Sequence, residues 1–282
     1  MLKMLAFCPS LHVRRHASGS LEASFAQLAV AAPDHHFDLR GFVGWEPGEA
    51  STKSADVSPK GTFKGSLMPE VIFNGPAGRL EGRYHPAKQK NAPIAMILHP
   101  HPQFHGTMNH QIVYQCYYAF AHRGFSVLRF NFRGVGRSQG SFDHGTGELS
   151  DAASALDWAQ TINPEARACW VAGFSFGAWI GMQLLMRRPE VEGFISIAPP
   201  ANLYDFSFLA PCPSSGLIVH GERDAVVPPK DVNTLVEKLK TQKGIVIDQQ
   251  VIPGANHFFD GKLEPLMETI TAYLDMRLAN VR

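Results

Sequence analysis

The sequence predicts an α/β protein built on a doubly wound, mostly parallel β-sheet with an antiparallel hairpin at its N-terminal edge. From residue 68 onward, short apolar runs alternate with longer stretches of helical period. Runs that are apolar at nearly every position are typical of strands covered by helices on both faces. Their alternation with helices implies right-handed crossovers between parallel strands, which is how a doubly wound sheet is built.

The hairpin comes first along this part of the chain. Glu70–Asn74 and Leu80–Tyr84 are predicted strands that flank the turn-forming residues Gly75-Pro76-Ala77-Gly78. Further strands are predicted at Ile94–Leu98, Ser126–Phe130, Cys169–Ala172, Phe194–Ala198, Leu217–His220 and Ile245–Ile252. Helices are predicted between and after them at Asn109–His122, Leu149–Thr161, Gly177–Arg187, Asp231–Lys240 and Leu263–Leu278.

The chain divides into two unequal parts, residues 1–67 and residues 68–282. The first part is rich in Ala, Ser, Gly, His and Pro and has no sustained period, so it buries too little apolar surface to offset its ordering entropy. We interpret it as an N-terminal extension. Because Met68 immediately precedes the first strand pattern, we hypothesise that the functional polypeptide begins there.

Composition narrows the class of partner. Of 282 residues, 45% are hydrophobic and 18% charged, and the formal net charge is +1, so neither nucleic acid nor an anionic membrane is expected as the main partner. No apolar run approaches the roughly eighteen residues that span a bilayer. The four cysteines are widely spaced, form no CxxC pair and are expected to be free thiols, which favours a cytoplasmic location. They are Cys8, Cys116, Cys169 and Cys212.

The strongest chemical signal is Gly173-Phe174-Ser175-Phe176-Gly177, which follows a predicted strand and opens a predicted helix. A nucleophile on so sharp a turn leaves no room for side chains two residues before and after it, which explains the two glycines. The new helix then directs its first amides, beginning with Phe176, at the place where an oxyanion would form. The simpler alternative is a strand–helix turn whose serine only caps the helix.

A hydroxyl needs a base, and the base needs an acid to orient it. Asp224 follows the predicted strand Leu217–His220, and His257 follows the last strand. Because each of the three residues follows a predicted strand, all of them are expected on loops at the carboxyl edge of the sheet. Their order along the chain, Ser175, Asp224, His257, is the order found in α/β folds with such a serine turn. Glu222 is a rival acid, and His257 remains open to a purely packing role.

The loop after the first parallel strand, residues 99–108, is expected to supply the second oxyanion donor. Pro100 and Pro102 lack an N–H group, so His101 is the first candidate and Gln103 the next. The same loop offers His99, His101 and His105, together with His110 just beyond it, as an alternative zinc cluster. A binuclear metal loop of the H-x-H-x-D-H type would have Asp and His where this chain has Gln103 and Phe104, so no metal is expected.

Together these motifs resemble the α/β-hydrolase superfamily, and most of all its small lidless bacterial branch near dienelactone hydrolases and serine peptidase-like esterases. The resemblance covers residues 68–282. It depends on His99-Pro100-His101-Pro102, Asn131-Phe132-Arg133-Gly134-Val135-Gly136-Arg137-Ser138, the Gly173–Gly177 turn, Gly221-Glu222-Arg223-Asp224 and Gly254-Ala255-Asn256-His257.

The resemblance implies acyl transfer to water from a small ester or thioester without any cofactor. Ser175 would attack, His257 would carry the proton, Asp224 would hold the imidazole, and the amides of Phe176 and His101 would bind the oxyanion. A non-catalytic binding protein of the same fold is the alternative from another functional class.

Two further expectations concern access to this site. Related sequences have two glycines where this chain has His105-Gly106, so the His105 side chain is expected to narrow the pocket or disturb the amide geometry. The segment between Ala198 and Ser215 is expected to form at most a small flap, which leaves the site open.

Overall fold

The computed structural model describes residues 69–279. The predictions for residues 1–67, including Cys8 and the hypothesis of a start at Met68, lie outside the described residues. Within the described range no helix is long and apolar enough to cross a membrane.

The described residues form an eight-stranded sheet in the order β1-β2-β4-β3-β5-β6-β7-β8. β1 pairs with β2 and β2 with β4 in antiparallel fashion, and all other neighbours are parallel. The predicted fold class is therefore confirmed. The strands are β1 Glu70–Gly75, β2 Gly78–His85, β3 Ile94–Leu98, β4 Ser126–Phe130, β5 Cys169–Phe174, β6 Val191–Ile197, β7 Gly216–Gly221 and β8 Ile247–Ile252.

In the described part of the chain, five α-helices cover the two faces of the sheet. They are α1 Gln111–Ala121, α2 Thr146–Ile162, α3 Phe176–Leu185, α4 Pro229–Lys240 and α5 Leu263–Ala279. Along β3, Ile94 and Met96 point into the core beneath α2, α3 and α4, whereas Ala95 and Ile97 point into the core beneath α1 and α5. This two-sided burial is the reason that β3 is apolar at every position.

The ends of elements differ from the predictions by a few residues. β6 is predicted to end at Ala198 but ends at Ile197, because Ala198 has a φ of 46° and turns the chain out of the strand. β8 begins at Ile247 rather than Ile245; just before it, the Val246 N–H donates to the Ser215 hydroxyl oxygen at 2.9 Å and not to a neighbouring strand.

Cys116, Cys169 and Cys212 are buried free thiols, as predicted. Burial raises the pKa of Cys116 to about 12 and that of Cys169 to about 11. Both thiols therefore stay protonated near neutrality and act as small apolar core residues.

Candidate active site

Ser175 occupies the single residue between β5 and α3. Its backbone has φ 53° and ψ −117°, a conformation that costs about 1–3 kcal/mol and persists only where the surroundings enforce it. Here the Ser175 N–H donates to the carbonyl oxygen of Ile197 at 2.8 Å, and its own carbonyl accepts from Ala178 N–H at 2.9 Å. The strained turn leaves the Ser175 side chain half-buried at the carboxyl edge of the sheet.

The two glycines of the turn are required by close backbone approach. A Cβ on Gly173 would lie 2.3 Å from the carbonyl oxygen of Gly177. A Cβ on Gly177 would lie 2.5 Å from the carbonyl oxygen of Leu98, at the end of β3. No real Cβ tolerates such distances, so the spacing of these glycines follows from the packing of α3 onto the ends of β3 and β5.

The structure brings the three predicted site residues into one hydrogen-bonded line. His257 Nε2 lies 3.0 Å from Ser175 Oγ, and His257 Nδ1 lies 2.8 Å from Asp224 Oδ2. Because a carboxylate only accepts, His257 carries its proton on Nδ1 and Nε2 accepts from the Ser175 hydroxyl. The side chains of Asp224 and His257 are 0% and 5% exposed, so the hydrogen bond between them is shielded from water, whereas Ser175 is half-buried.

Asp224 is held independently of His257. Its Oδ1 accepts from the N–H groups of Val226 at 2.9 Å and Val227 at 2.8 Å, which leaves Oδ2 for the imidazole. The rival acid Glu222 is placed elsewhere, because its exposed carboxylate accepts from Gly254 N–H at 2.8 Å. Glu222 therefore braces the loop that carries His257, and Asp224 orients the ring.

The β3 loop, residues 99–108, folds back beside Ser175. A short 3₁₀ turn at Pro102–Phe104 follows His101, and the N–H of Gly106 donates to the His101 carbonyl at 3.0 Å. The Gln103 N–H donates to His101 Nδ1 at 3.2 Å, so the second-choice oxyanion donor is committed to that ring. The rings of His101 and Phe176 lie 4.9 Å apart, so both predicted oxyanion residues are neighbours.

His99 has a structural task that the sequence did not indicate. Its Nε2 accepts from the N–H of Phe132 at 3.0 Å, and its Nδ1 donates to the carbonyl of Pro100 at 2.7 Å. With both nitrogens engaged, His99 has no lone pair for a metal, and the zinc alternative loses its first ligand. Across residues 69–279 no group of three His, Cys, Asp or Glu side chains is arranged to hold a metal ion.

A second unpredicted anchor holds the far end of the β3 loop. The buried Arg129 guanidinium donates through Nη1 to the Met108 carbonyl and to Asn109 Oδ1, both at 2.7 Å. Asn131 Oδ1 accepts from the Met108 N–H at 2.8 Å. The neighbouring Arg133 pairs with the buried Asp151 through two side-chain hydrogen bonds, so Arg133 has a structural role.

His105 closes the 3₁₀ turn with a φ of 59°, in the left-handed region that favours glycine. Its side chain is exposed. The cost of histidine at this position therefore lies in the backbone conformation, and narrowing of the pocket by this side chain stays a prediction.

Three imidazoles of this region make the fold sensitive to acid. Burial lowers the pKa of His99 to about 3 and, with a smaller effect from nearby histidines, those of His101 and His110 to about 4. Unfolded histidines titrate near 6.5, so the unfolded chain binds more protons between that pH and about 4. The free energy of unfolding that these three neutral histidines contribute is therefore fully present above pH 6.5 and is lost as the pH drops towards 4.

We expect each of these histidines to contribute about 1.4 kcal/mol per pH unit to that fall. Urea unfolding at several pH values between 4 and 7 measures the slope. A His99→Gln variant, which keeps an acceptor for Phe132 N–H, is expected to flatten it, whereas His122→Gln removes an exposed imidazole and should leave it unchanged. Equal slopes in all three proteins would contradict the prediction.

Solved structures of related proteins match this architecture. A crystal structure of an Agrobacterium tumefaciens protein of unknown function, described as a candidate alpha/beta hydrolase, is 73% identical, has a TM-score of 0.74 and covers 75% of this chain and 97% of that one. An α/β serine hydrolase without lid from Xanthomonas campestris is 32% identical, has a TM-score of 0.65 and covers 74% of this chain and 94% of that one. This chain belongs to the α/β-hydrolase superfamily.

Sequence matches agree with the assignment. An uncharacterized protein of Rickettsia prowazekii is 54% identical over 211 residues, which are 73% of this chain and 89% of that protein. The family model for X-Pro dipeptidyl-peptidase (S15 family) matches residues 82–214, which include Ser175 but neither Asp224 nor His257. The resemblance to lidless α/β hydrolases is confirmed, and the protein is a hydrolase of this fold.

Proposed function

We propose that this α/β hydrolase cleaves a small ester or thioester by acyl transfer to water, with Ser175 as nucleophile, His257 as base and Asp224 as the acid that orients it. The observation that supports the proposal best is the line of two hydrogen bonds, 3.0 and 2.8 Å long, that joins Ser175 Oγ through His257 to Asp224. A helix-capping serine has no need of a buried imidazole and carboxylate in this order.

The proposed reaction follows from the protonation states. Ser175 Oγ attacks the carbonyl carbon while its proton passes to His257 Nε2, and Asp224 stabilises the imidazolium that forms. The imidazolium then gives this proton to the departing alcohol or thiol. A water molecule repeats the sequence on the acyl-enzyme and releases the acid. The backbone N–H groups of Phe176 and His101 are the proposed donors to the oxyanion.

The form of the site favours a substrate of modest size. Between β6 and β7 the chain forms only a short 3₁₀ turn, Ser207–Leu209, in place of a lid. A small-molecule acyl compound is therefore the proposed partner, with neither nucleic acid nor a membrane required. The buried free thiols favour the cytoplasm as the proposed location.

Labelling with a fluorophosphonate probe tests the nucleophile directly. We expect the wild-type protein to be labelled and Ser175→Ala to remain unlabelled, because only an activated serine attacks the phosphorus atom. A folded wild-type protein that is never labelled would favour a non-catalytic binding protein. Ester hydrolysis that a chelator abolishes and that Ser175→Ala retains would establish the zinc alternative.

A further inference from the structure

A continuous run of aromatic rings leads away from Ser175. We call this run the aromatic strip; it consists of Phe104, His101, Phe142, Phe176, Trp179 and Tyr204. Ring centroids are 4.8 Å apart for both Phe104 and Phe142 against His101, and 5.7 Å apart for Phe176 and Trp179. Trp179 and Tyr204 stack at 4.2 Å with an interplanar angle of 23°. Neighbouring rings are thus at distances typical of favourable aromatic pairs.

The strip is fixed in place, and two of its rings lie on the helix that follows Ser175. The Trp179 N–H donates to the Ser175 carbonyl at 3.3 Å, so Trp179 lies one helical turn beyond Ser175 on the same side of α3. Its indole Nε1 donates to the Asp205 carbonyl at 3.2 Å. A Cβ on Gly145 would lie 2.3 Å from the indole ring, so glycine at this position makes room for it.

Parts of the strip are open to a ligand. The Phe104 side chain is 48% exposed, and Phe142, Trp179 and Tyr204 are half-buried, whereas Phe176 and His101, which link them, are buried. Exposed apolar surface of this kind beside a reactive group is typical of a binding site. The polar side-chain groups of the strip are the His101 imidazole, the Tyr204 phenol and the Trp179 indole N–H, which is bonded to Asp205.

The geometry of acyl transfer determines which part of a substrate meets the strip. The leaving group must lie against His257 Nε2, from which it receives its proton, and the rings around His257 are Phe174 and Phe258. The carbonyl oxygen must lie against the amides of Phe176 and His101. The side chains of Phe176 and His101 belong to the strip, whereas those of Phe174 and Phe258 do not. The acyl substituent is the remaining group of the substrate, and the strip is the surface beside it.

We infer that the aromatic strip binds the acyl portion of the substrate and selects a planar aromatic group over a saturated one of equal size. This inference rests on the proposed function. An open site holds its ligand largely from one side, so a flat ring that stacks on flat faces gains contact that a puckered ring loses. The substrate class is then an ester or thioester of an arylalkanoic acid.

The test compares methyl 3-phenylpropanoate with methyl 3-cyclohexylpropanoate, which share chain length and leaving group. We expect kcat/KM, measured by acid release in a pH-stat, to favour the phenyl ester by about 3- to 10-fold in the wild-type protein. Phe104→Ala and Tyr204→Leu are expected to bring that ratio towards one. Met276→Ala on α5 is the matched control, since its side chain is 46% exposed, and it should leave the ratio unchanged.

The possible failures are distinguishable. A wild-type protein that is labelled by fluorophosphonate and hydrolyses methyl acetate, but shows a ratio of one or less, overturns the inference and leaves the proposed function intact. A wild-type protein that is not labelled overturns both. If a strip variant fails to fold, the wild-type ratio alone tests the selectivity for the phenyl ester. If Phe104→Ala and Tyr204→Leu fold and leave the ratio unchanged, other residues cause the selectivity and the inference is overturned.

Discussion

Ser175→Ala is expected to lower kcat for an activated ester such as 4-nitrophenyl acetate by about 10⁴–10⁶-fold. The variant removes the hydroxyl that donates to His257 Nε2 at 3.0 Å, so neither the attack nor the proton transfer has a starting point. The effect is large because nucleophile and base act as a unit. Steady-state release of 4-nitrophenolate measures it, with single-turnover mixing to resolve the acylation step.

The matched control for this substitution is Ser150→Ala. Ser150 is an exposed serine on α2 whose hydroxyl donates to the Thr146 carbonyl at 3.1 Å, so its loss removes a hydroxyl of the same kind without touching the site. Its kcat should equal that of the wild-type protein. If Ser175→Ala kept a tenth or more of the wild-type kcat, the nucleophile would have to be sought elsewhere.

The elements and the three residues of the proposed triad could be predicted from the sequence because both depend on local patterns and on one topological rule. β3 and β4 have the bounds predicted for them. Both strands are fully buried; β3 is apolar throughout, whereas β4 also includes Ser126 and Arg129. Parallel strands bring their carboxyl ends to one edge. Ser175, Asp224 and His257 each follow such a strand, so their proximity follows once the sheet is predicted.

The supporting contacts could not be predicted because they depend on strand order and backbone path. Arg129 meets Met108 only because β4 lies beside β3 in the sheet, a neighbour relation that no local pattern states. His99 reads as a metal ligand in the sequence, yet its two nitrogens are used by Phe132 and Pro100. The engagement of the Gln103 amide depends likewise on the 3₁₀ turn, which directs this N–H at the His101 ring.

Asp224→Asn is expected to lower kcat by about 10⁴-fold at neutral pH with little change of shape, by the same logic as in serine proteases. The N–H groups of Val226 and Val227 require an acceptor where Asp224 Oδ1 now stands. The asparagine carbonyl oxygen must take that place, which turns its NH₂ group towards His257 Nδ1. That nitrogen then has to accept, so the ring proton moves to Nε2 and the imidazole can no longer accept from Ser175.

Glu222→Gln provides the matched carboxylate-to-amide control for Asp224→Asn. Glu222 also accepts a backbone hydrogen bond, from Gly254 N–H at 2.8 Å, but a glutamine oxygen replaces this acceptor without any consequence for the imidazole. Its kcat should stay close to the wild-type value, and the melting temperatures of both variants should show that the fold persists. A large loss of kcat in Glu222→Gln together with an active Asp224→Asn would reverse the assignment of the acid. If both variants lost little kcat, the imidazole would keep its proton on Nδ1 without the Asp224 carboxylate, and the expected tautomer change would be contradicted.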